Sequence, residues 1–457
     1  MKKQKNAPQI LPREEWPYEV PENWVWTVAK NTVNLYRGVS YKKNDAHTDK
    51  HSNDYLILRG GNISEGKIDT FADNIYVNKD LVQENQLVKN NDIVIVASTG
   101  SKTVIGRSGI SYNDYMDVAF GAFLILLRPK EMLCKPYIAY FYQSLYYRES
   151  IRNLAAGVNI NNIRANHILE MPVPLPPLPE QQRIVARIES LFAKLDAAAE
   201  KIRATLDTFP TRKAALLHKA FTGELTKKWR EEHGVGMDCW KKSTLEQYSE
   251  LITKGASPKW QGVEYTEDMT QTLFVTSENV QDGYLDFKKK KFVKNKINLI
   301  QKRSVLKYGD VLLNIVGASI GRAAIFNQKC MANTNQAVAI IRPNDKLCNS
   351  FLCNYLNSAE AHIYYETSKV ETARANINLR NIAEMQLNFP TLPEQQEIVR
   401  RLDAILAREQ TAKETAERLL DTIALTKKSI LARAFRGLLG TNDPKEASAE
   451  GWLKEQT

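Results

Sequence analysis

One stretch of this chain occurs twice. Residues 178–225 read LPEQQRIVARIESLFAKLDAAAEKIRATLDTFPTRKAALLHKAFTGEL, and residues 392–439 read LPEQQEIVRRLDAILAREQTAKETAERLLDTIALTKKSILARAFRGLL, at a constant offset of 214. Twenty of the 48 aligned positions are identical. Both copies open on Leu-Pro-Glu-Gln-Gln and close on Ala-Phe-x-Gly-x-Leu. An ungapped internal repeat restricts the fold before any single residue does, because both copies must take the same structure.

Each copy reads as one long helix. Ile184, Ile188, Leu191, Leu195, Ala198, Ile202, Thr205 and Phe209 step by four and three. So do Ile398, Leu402, Ile405, Glu409, Ala412, Ala416, Leu419 and Ile423. This is a heptad seam between mostly charged or Ala positions. Pro179 and Pro393 suit the first turn, Glu180 and Glu394 the positive end of the helix dipole, and Gly223 and Gly437 the stop. Some forty residues at about 1.5 Å each give a rod of roughly 60 Å. Each rod exposes an apolar stripe, and pairing the two covers both. Ile184, Ile188, Leu191, Leu195, Ile398, Leu402, Ile405 and Leu419 are the expected pairing residues. Pro210, opposite Ala424 in the repeat, is expected to kink or interrupt the first rod. The plainer alternative is two unrelated amphipathic helices, each packed on its own domain.

The segments before the helices repeat too. Trp26 and Trp240 share the offset of 214, as do Arg128-Pro129 and Arg342-Pro343, each closing an apolar run. Tyr137–Ser144 aligns with Phe351–Ser358, and Ile168-x-Glu170-Met171 with Ile382-x-Glu384-Met385. Asn159-Ile160-Asn161 aligns with Asn376-Ile377-Asn378 only when displaced by three. Short β-type runs, Tyr55–Leu58, Ile93–Ala97 and Phe123–Leu127, alternate with Gly-rich turns. The expected organisation is an extended arm (1–20), a globular α/β unit (21–177), a long helix (178–225), a second unit (226–391), a second long helix (392–439) and a polar tail (440–457). The globular units differ far more than the helices. Such a frame suits two readers of different targets.

With 457 residues the chain suits three or four structural units. No run approaches eighteen apolar residues, and the Lys-bearing start lacks the apolar run of a signal peptide. Five scattered cysteines suggest free thiols in a reducing, cytoplasmic setting. A net charge of +11 is an unspecific pointer to nucleic acid.

Catalytic motifs are not evident. The only Pro-Pro pair, Pro176-Pro177, lies in the lead-in to the helix and not in an adenine-methyltransferase tetrapeptide, and no P-loop is found. His47 and His51 have i, i+4 spacing but read as a solvated loop without a Cys or Glu to complete a site. Cys348 and Cys353 have no second pair. Asp54 with Glu65-Gly66-Lys67 fits a nuclease spacing only loosely. No metal site is therefore expected, and no cofactor in this chain.

Basic and polar loop residues remain, at matching places in both units. They are Ser40, Lys42 and Lys43 after Gly38-Val39; Lys102 and Arg107 after Gly100; and Asn159, Asn161 and Arg164. In the second unit they are Ser257 and Lys259 after Gly255; Ser319 and Arg322 around Gly317 and Gly321; Arg374, Asn376, Asn378 and Arg380; and Lys289 and Lys291 within a run at 288–291, with Lys294 and Lys296 beyond. Glycines let a backbone approach a phosphate, Lys and Arg neutralise it, and Arg or Asn can read base edges. Each could equally be an ordinary solvated charge; the recurrence favours the set. Tyr137, Tyr140, Phe141 and Tyr142, at helical spacing, are expected in the core and not against bases.

The order of globular unit, Leu-Pro-Glu-Gln-Gln helix, second unit and second such helix resembles the specificity subunits of type I restriction-modification systems over nearly the whole chain. The resemblance implies an α+β fold: two similar α/β target recognition domains joined and spaced by two long antiparallel coiled-coil helices, a pseudo-two-fold internal repeat. It implies that each domain reads one half of a bipartite double-stranded DNA target and that the helices fix the spacer. It also implies two modification subunits that bind S-adenosylmethionine and methylate adenine, and two motor-nuclease subunits that can join them, this chain itself being non-catalytic. Pro210 and the lysine run confined to the second unit depart from strict symmetry. The rival readings are a stand-alone enzyme, such as a nuclease with an unrecognised site, and a coiled-coil scaffold or interaction protein without sequence-specific readout.

Overall fold

A computed structural model describes residues 8–101, 103–156, 162–368 and 375–455. The chain forms two compact units. The first comprises the chain up to Ile202 together with the part from Arg418 onward, and the second spans Arg203–Glu417. The first long helix runs Leu178–Phe221 and the second Leu392–Ala434. Each unit thus holds part of each helix.

In unit 1 a six-stranded sheet has the order Val33–Arg37, Leu124–Pro129, Ile93–Val96, Ser108–Ile110, Gly66–Ile68, Ile63–Ser64. A four-stranded sheet has the order Val118–Phe120, Asp54–Leu58, Tyr76–Asn78, Ala46–His47. The first three strands of the larger sheet are antiparallel, whereas Val118–Phe120 runs parallel to Asp54–Leu58. Unit 2 repeats the plan. One sheet has the order Ser249–Lys254, Val338–Pro343, Val311–Asn314, Ala323–Ile325; the other, Tyr265–Thr266, Phe292–Val293, Thr272–Val275, Ala332–Thr334.

Side-chain alternation decides how these layers stack. Successive residues of a strand point to opposite faces. Ile93 and Ile95 enter one core with Ile184, Ile188 and Leu431 of the long helices and with Phe435 just past the second. Val94 and Val96 enter another, with Leu56, Leu58 and Phe120 of the second sheet. Because both faces are buried, all four residues are β-branched and apolar. Unit 2 divides its central strand likewise. Val311 and Leu313 join Leu217, Phe221, Ile398 and Leu402, while Leu312 joins Leu273, Val275 and Phe326. Each unit is therefore layered helix pair, first sheet, second sheet.

The Leu-Pro-Glu-Gln-Gln motif locks the helix start to this stack. Glu180, Gln181, Glu394 and Gln395 are all fully buried, so the glutamates do more than complement a helix dipole. The Trp24 indole donates to Glu180 at 2.8 Å, and the Trp240 indole to Glu394 at 2.9 Å. Gln181 accepts from the Cys134 amide and donates to the Pro176 carbonyl. Gln395 does the same with Cys348 and Pro390. The partner of Trp240 is thus Trp24, two residues from the Trp26 that the sequence offset pairs with it. Each begins its strand lead-in, before Val25–Val28 and Lys241–Thr244, which pair with Pro172–Leu175 and Gln386–Phe389.

The two helices pair antiparallel within each unit. In unit 1 Arg183 donates to the Thr441 carbonyl and Lys427 pairs with Asp196. In unit 2 Arg401 donates to the Leu225 carbonyl and Arg212 pairs with Glu409. Ile184, Ile188, Ile398 and Leu402 are fully buried, as the seam requires. Leu191, Leu195 and Ile405 are only half-buried. Leu419 corrects the expectation, because it is 48% exposed. Among the described residues, none of 200–216 or 403–430 is fully buried. A lone helix pair covers only a narrow stripe, and full burial needs a sheet behind it. Pro210 does not interrupt the first helix, which continues to Phe221. It costs the helical bond to the Leu206 carbonyl at an exposed position. Gly223 and Gly437 do lie in the left-handed region just past the helix ends, at φ of 82° and 70°.

The described part of the segment at 440–457, up to residue 455, is more than a polar tail. Ala449–Glu455 is a helix whose Leu453 is fully buried in unit 1, and Glu446 binds Arg183 through both oxygens, at 2.7 and 2.8 Å. The N-terminal arm is likewise tied down from residue 8 onward: the Leu11 amide donates to the Trp26 carbonyl, and Trp16 and Tyr18 pack against the core.

The position after the motif differs between units. Arg183 of unit 1 is replaced by Glu397, which Arg400 and Arg401 hold at 2.6–2.8 Å. These guanidiniums lower its carboxyl to about 2. A depressed carboxylate contributes stability that is present above its unfolded value and lost as pH falls through the folded one. Glu397→Gln is expected to lower stability near pH 7 by about 1 kcal/mol, a value discounted because Arg400 is exposed to solvent. Urea denaturation between pH 7 and pH 2 should show the deficit shrinking below the ordinary glutamate range. A deficit independent of pH would reject this role.

Candidate nucleic-acid interface

The sheet topology gathers the loops singled out above at one end of each unit. In unit 1 the strand Val33–Arg37 ends, Leu124–Pro129 begins and Ile93–Val96 ends on the same side, as antiparallel order requires. The Val39 amide donates to the Phe120 carbonyl, the Ala97 and Ser98 amides to the Phe123 carbonyl, and the Ile163 amide to the Ala97 carbonyl. Residues 38–43, 97–101, 121–123 and 162–164 therefore share one edge. Unit 2 matches. The Ile315 amide donates to the Ala337 carbonyl, the Ile377 amide to the Ile315 carbonyl and the Gly317 amide to the Ala375 carbonyl. Gly255 packs on the Thr334 carbonyl.

These bonds revise one alignment. Ile163 and Ile377 make the same bond, and Ser98 bridges Asn162 as Val316 bridges Asn376. The matching pair is Asn162-Ile163 with Asn376-Ile377, at the undisplaced offset. Asn159 and Asn161, chosen from the displaced alignment, lie outside the described residues, as do Lys102 and Arg374.

The remaining candidates divide into free and committed groups. Ser40, Lys42, Lys43, Arg164, Lys259 and Lys289 are exposed. Ser257 and Ser319 are half-buried at the same sheet end. Arg107 turns inward and donates to the Ile63 carbonyl at 3.3 Å. Arg322 donates to Gln281 at 2.9 Å. Lys291 holds Glu278 at 2.8 Å and pulls that carboxyl below its usual range. Arg380 pairs with Glu384 one turn on. Asn378 is a helix N-cap whose side chain accepts from the Asn381 amide, and Asn376 is held in its β-bridge.

Gly38 and Gly255 do not serve close approach of a phosphate. A Cβ on Gly38 would lie 2.2 Å from the Gly121 carbonyl oxygen, and one on Gly255 1.7 Å from that of Thr334. Both glycines let the chain cross the neighbouring strand. The aromatic expectation holds: Tyr137, Phe141 and Tyr142 are fully buried and Tyr140 nearly so.

Sequence reasoning missed several residues at this edge. Arg37 and Lys254 are the exposed last residues of matching strands, paired opposite Ile125 and Ala339. Their signal was a basic residue immediately before each crossing glycine. Trp260 beside Lys259 is 75% exposed, and Phe123 of the 121–123 loop 70%. A large aromatic in a polar loop, outside any helical or alternating pattern, was the available clue.

The nuclease-like triplet is not assembled. Glu65 faces Lys428, and a Cβ on Gly66 would meet Gln143. Cys353 is a core residue whose thiol is pushed up to about 12 by burial. Asp54, however, is held by His47 and His51, which are not merely a solvated loop.

Comparison with known proteins agrees with this architecture. The family model described as type I restriction modification DNA specificity domain matches residues 21–207 and again 237–419. The specificity subunit of the type I restriction enzyme StySPI of Salmonella potsdam is 32% identical, over 92% of this chain and 90% of that protein. That of EcoKI of Escherichia coli (strain K12) is 30% identical over the same shares. The HsdS subunit from Thermoanaerobacter tengcongensis has the same fold, with TM-score 0.57 and 18% identity over 93% of this chain and all of that one. A chain of a type I R-M system complex gives TM-score 0.67, also at 18% identity and over 93% of this chain and all of that one. With the repeat, the paired helices and the twice-matched domain together, the chain belongs to the type I restriction-modification DNA specificity family and is a specificity subunit of such a system.

Proposed function

We propose that each unit reads one half of a bipartite DNA target with the loops gathered at the end of its first sheet. The observation that carries this reading is the recurrence of the same loop cluster, edged by Arg37, Lys42 and Lys43 in unit 1 and by Lys254 and Lys259 in unit 2. Lysines and arginines at such an edge neutralise phosphates, and neighbouring Asn, Ser and Arg side chains suit base edges.

The long helices, of 44 and 43 residues, set the unread spacer. At about 1.5 Å per residue each is on the order of 65 Å long. Their exposed middle carries Leu419 and Leu425, 48% and 65% exposed. This face suits docking of two methyltransferase subunits that bring S-adenosylmethionine and methylate adenine, with two motor-nuclease subunits joining them in the cytoplasm. In this reading the chain supplies specificity and its partners the chemistry.

Co-expression with the neighbouring adenine methyltransferase subunit, followed by genome-wide mapping of methylated adenine, tests the proposal. The expected result is one bipartite motif marked in both halves. A single contiguous motif, or none that depends on this chain, would favour a scaffold without sequence readout.

A further inference from the structure

Beside the loops of unit 1, three side chains of metal-ligand type converge. His47 ends the strand Ala46–His47 and lies opposite Tyr76; Asp54 begins Asp54–Leu58 and lies opposite Asn78 of the same neighbouring strand. The sheet therefore fixes both positions. The turn between them returns His51, whose backbone amide donates to Asp54 Oδ2 at 2.8 Å. His47 Nε2 stands 2.6 Å and His51 Nδ1 3.0 Å from that same oxygen. The ligand atoms of all three residues lie within 4.8 Å of one another. Asp54 is 5% exposed, His47 33% and His51 67%, so the cluster opens to solvent on the histidine side.

We propose that His47, His51 and Asp54 form a binding site for a divalent transition metal of the zinc class, with one coordination position open to water or an oxyanion. Two imidazoles and one carboxylate are a donor set that such an ion takes with bonds of about 2.0–2.2 Å. Tetrahedral ligation would put donor atoms about 3.3 Å apart, so the two nitrogens need to withdraw from Asp54 Oδ2 by less than about 1 Å and the widest donor pair, within 4.8 Å, to close by up to about 1.5 Å. Side-chain rotation supplies that, mostly at His51, the more exposed of the two imidazoles. Both imidazoles bind as neutral groups through His47 Nε2 and His51 Nδ1, with their protons on the other ring nitrogens. The carboxylate is held in place by the His51 backbone amide, a bond that does not depend on which ring nitrogens carry protons. The ion would cross-link the 47–54 turn, which follows Lys42 and Lys43 directly and carries Lys50. Unit 2 has no histidine in the matching turn, so the site belongs to unit 1 alone.

The test is titration of the purified full-length chain, or of its complex, with cobalt(II) and with zinc(II). The expected result is one tight equivalent, with d–d bands of a nitrogen and oxygen site and no thiolate-to-cobalt charge transfer. In His47→Ala and His51→Ala the affinity should fall on the order of 100-fold or more, beyond the 10–100-fold that losing an outer-sphere hydrogen bond causes. His51 is mostly exposed, so His51→Ala tests the site without challenging the fold. Zinc should also raise the melting temperature of the wild-type chain and not of His51→Ala. Equal binding by the wild type and His51→Ala, or a thiolate band from one of the five cysteines, would overturn the assignment and leave the cluster a hydrogen-bonded turn.

Discussion

Removing one heptad from each long helix, residues 200–206 and 416–422, is expected to shorten the spacer of the recognised DNA motif and leave both half-sites unchanged. Seven residues at about 1.5 Å amount to roughly 10 Å, or about 3 base pairs at ~3.4 Å each. A whole heptad preserves the phase of the seam, so the buried ends at Ile184, Ile188, Ile398 and Leu402 keep their packing. The removed residues lie in the stretch without fully buried side chains, so the cost to folding is small. Methylation at the original motif should drop to background while a motif with a shorter gap appears. Mapping methylated adenine in cells that carry the variant reads both changes at once. New half-site bases with an unchanged gap would show that the helices do not measure the target.

The second large effect is expected at the start of the second long helix. Arg230→Ala should destabilise unit 2 by about 3–5 kcal/mol, because it strands the Glu394 carboxylate in the interior. Arg230 lies 2.6 Å from Glu394, and both side chains are almost wholly buried. Thr226 and Trp240 still donate to the carboxylate, which puts the loss at the lower end of that range. The double variant Arg230→Met with Glu394→Gln should recover much of the loss, since no charge then remains buried. Urea denaturation followed by tryptophan fluorescence measures both. Glu180 offers the internal contrast. Its hydrogen-bond partners are neutral, Trp24, Asn442 and, more distantly, Thr441, so Asn442→Ala should cost no more than about 1–3 kcal/mol. A loss below about 1 kcal/mol for Arg230→Ala would mean that solvent reaches Glu394.

Arg128 and Arg342 show why equivalent positions need not look alike in sequence. Each lies in a strand that the repeat aligns, and each grips a buried aspartate, Asp92 or Asp310, through two bonds of 2.6–2.8 Å. The arginines stand at the offset of 214 and the aspartates at 218. Loops between strands absorb the slippage at little cost, since closure entropy rises slowly with loop length. Reading at one fixed offset therefore found the arginines and missed their partners. The same slippage paired Trp26 with Trp240 when the bond to the motif glutamate singles out Trp24.

The sequence by itself determined the repeat, the two long helices with their termini, the α+β class and the family resemblance. These rest on local rules, heptad spacing, proline at the start and glycine at the stop, which act over a few residues wherever the chain goes. It also placed Tyr137, Tyr140, Phe141 and Tyr142 in the core, because helical spacing puts residues such as Tyr137 and Phe141 on one buried face. Only the tertiary structure decided which basic residues are free. Arg322 looks as available as Lys42 in the sequence, yet Gln281, 41 residues away, holds it. Only it decided that Leu419 stays exposed, since burial needs a sheet behind the helix and not just a partner alongside. Only it brought Asp54 onto His47 and His51, because adjacent strand ends, not sequence spacing, set which side chains share a corner.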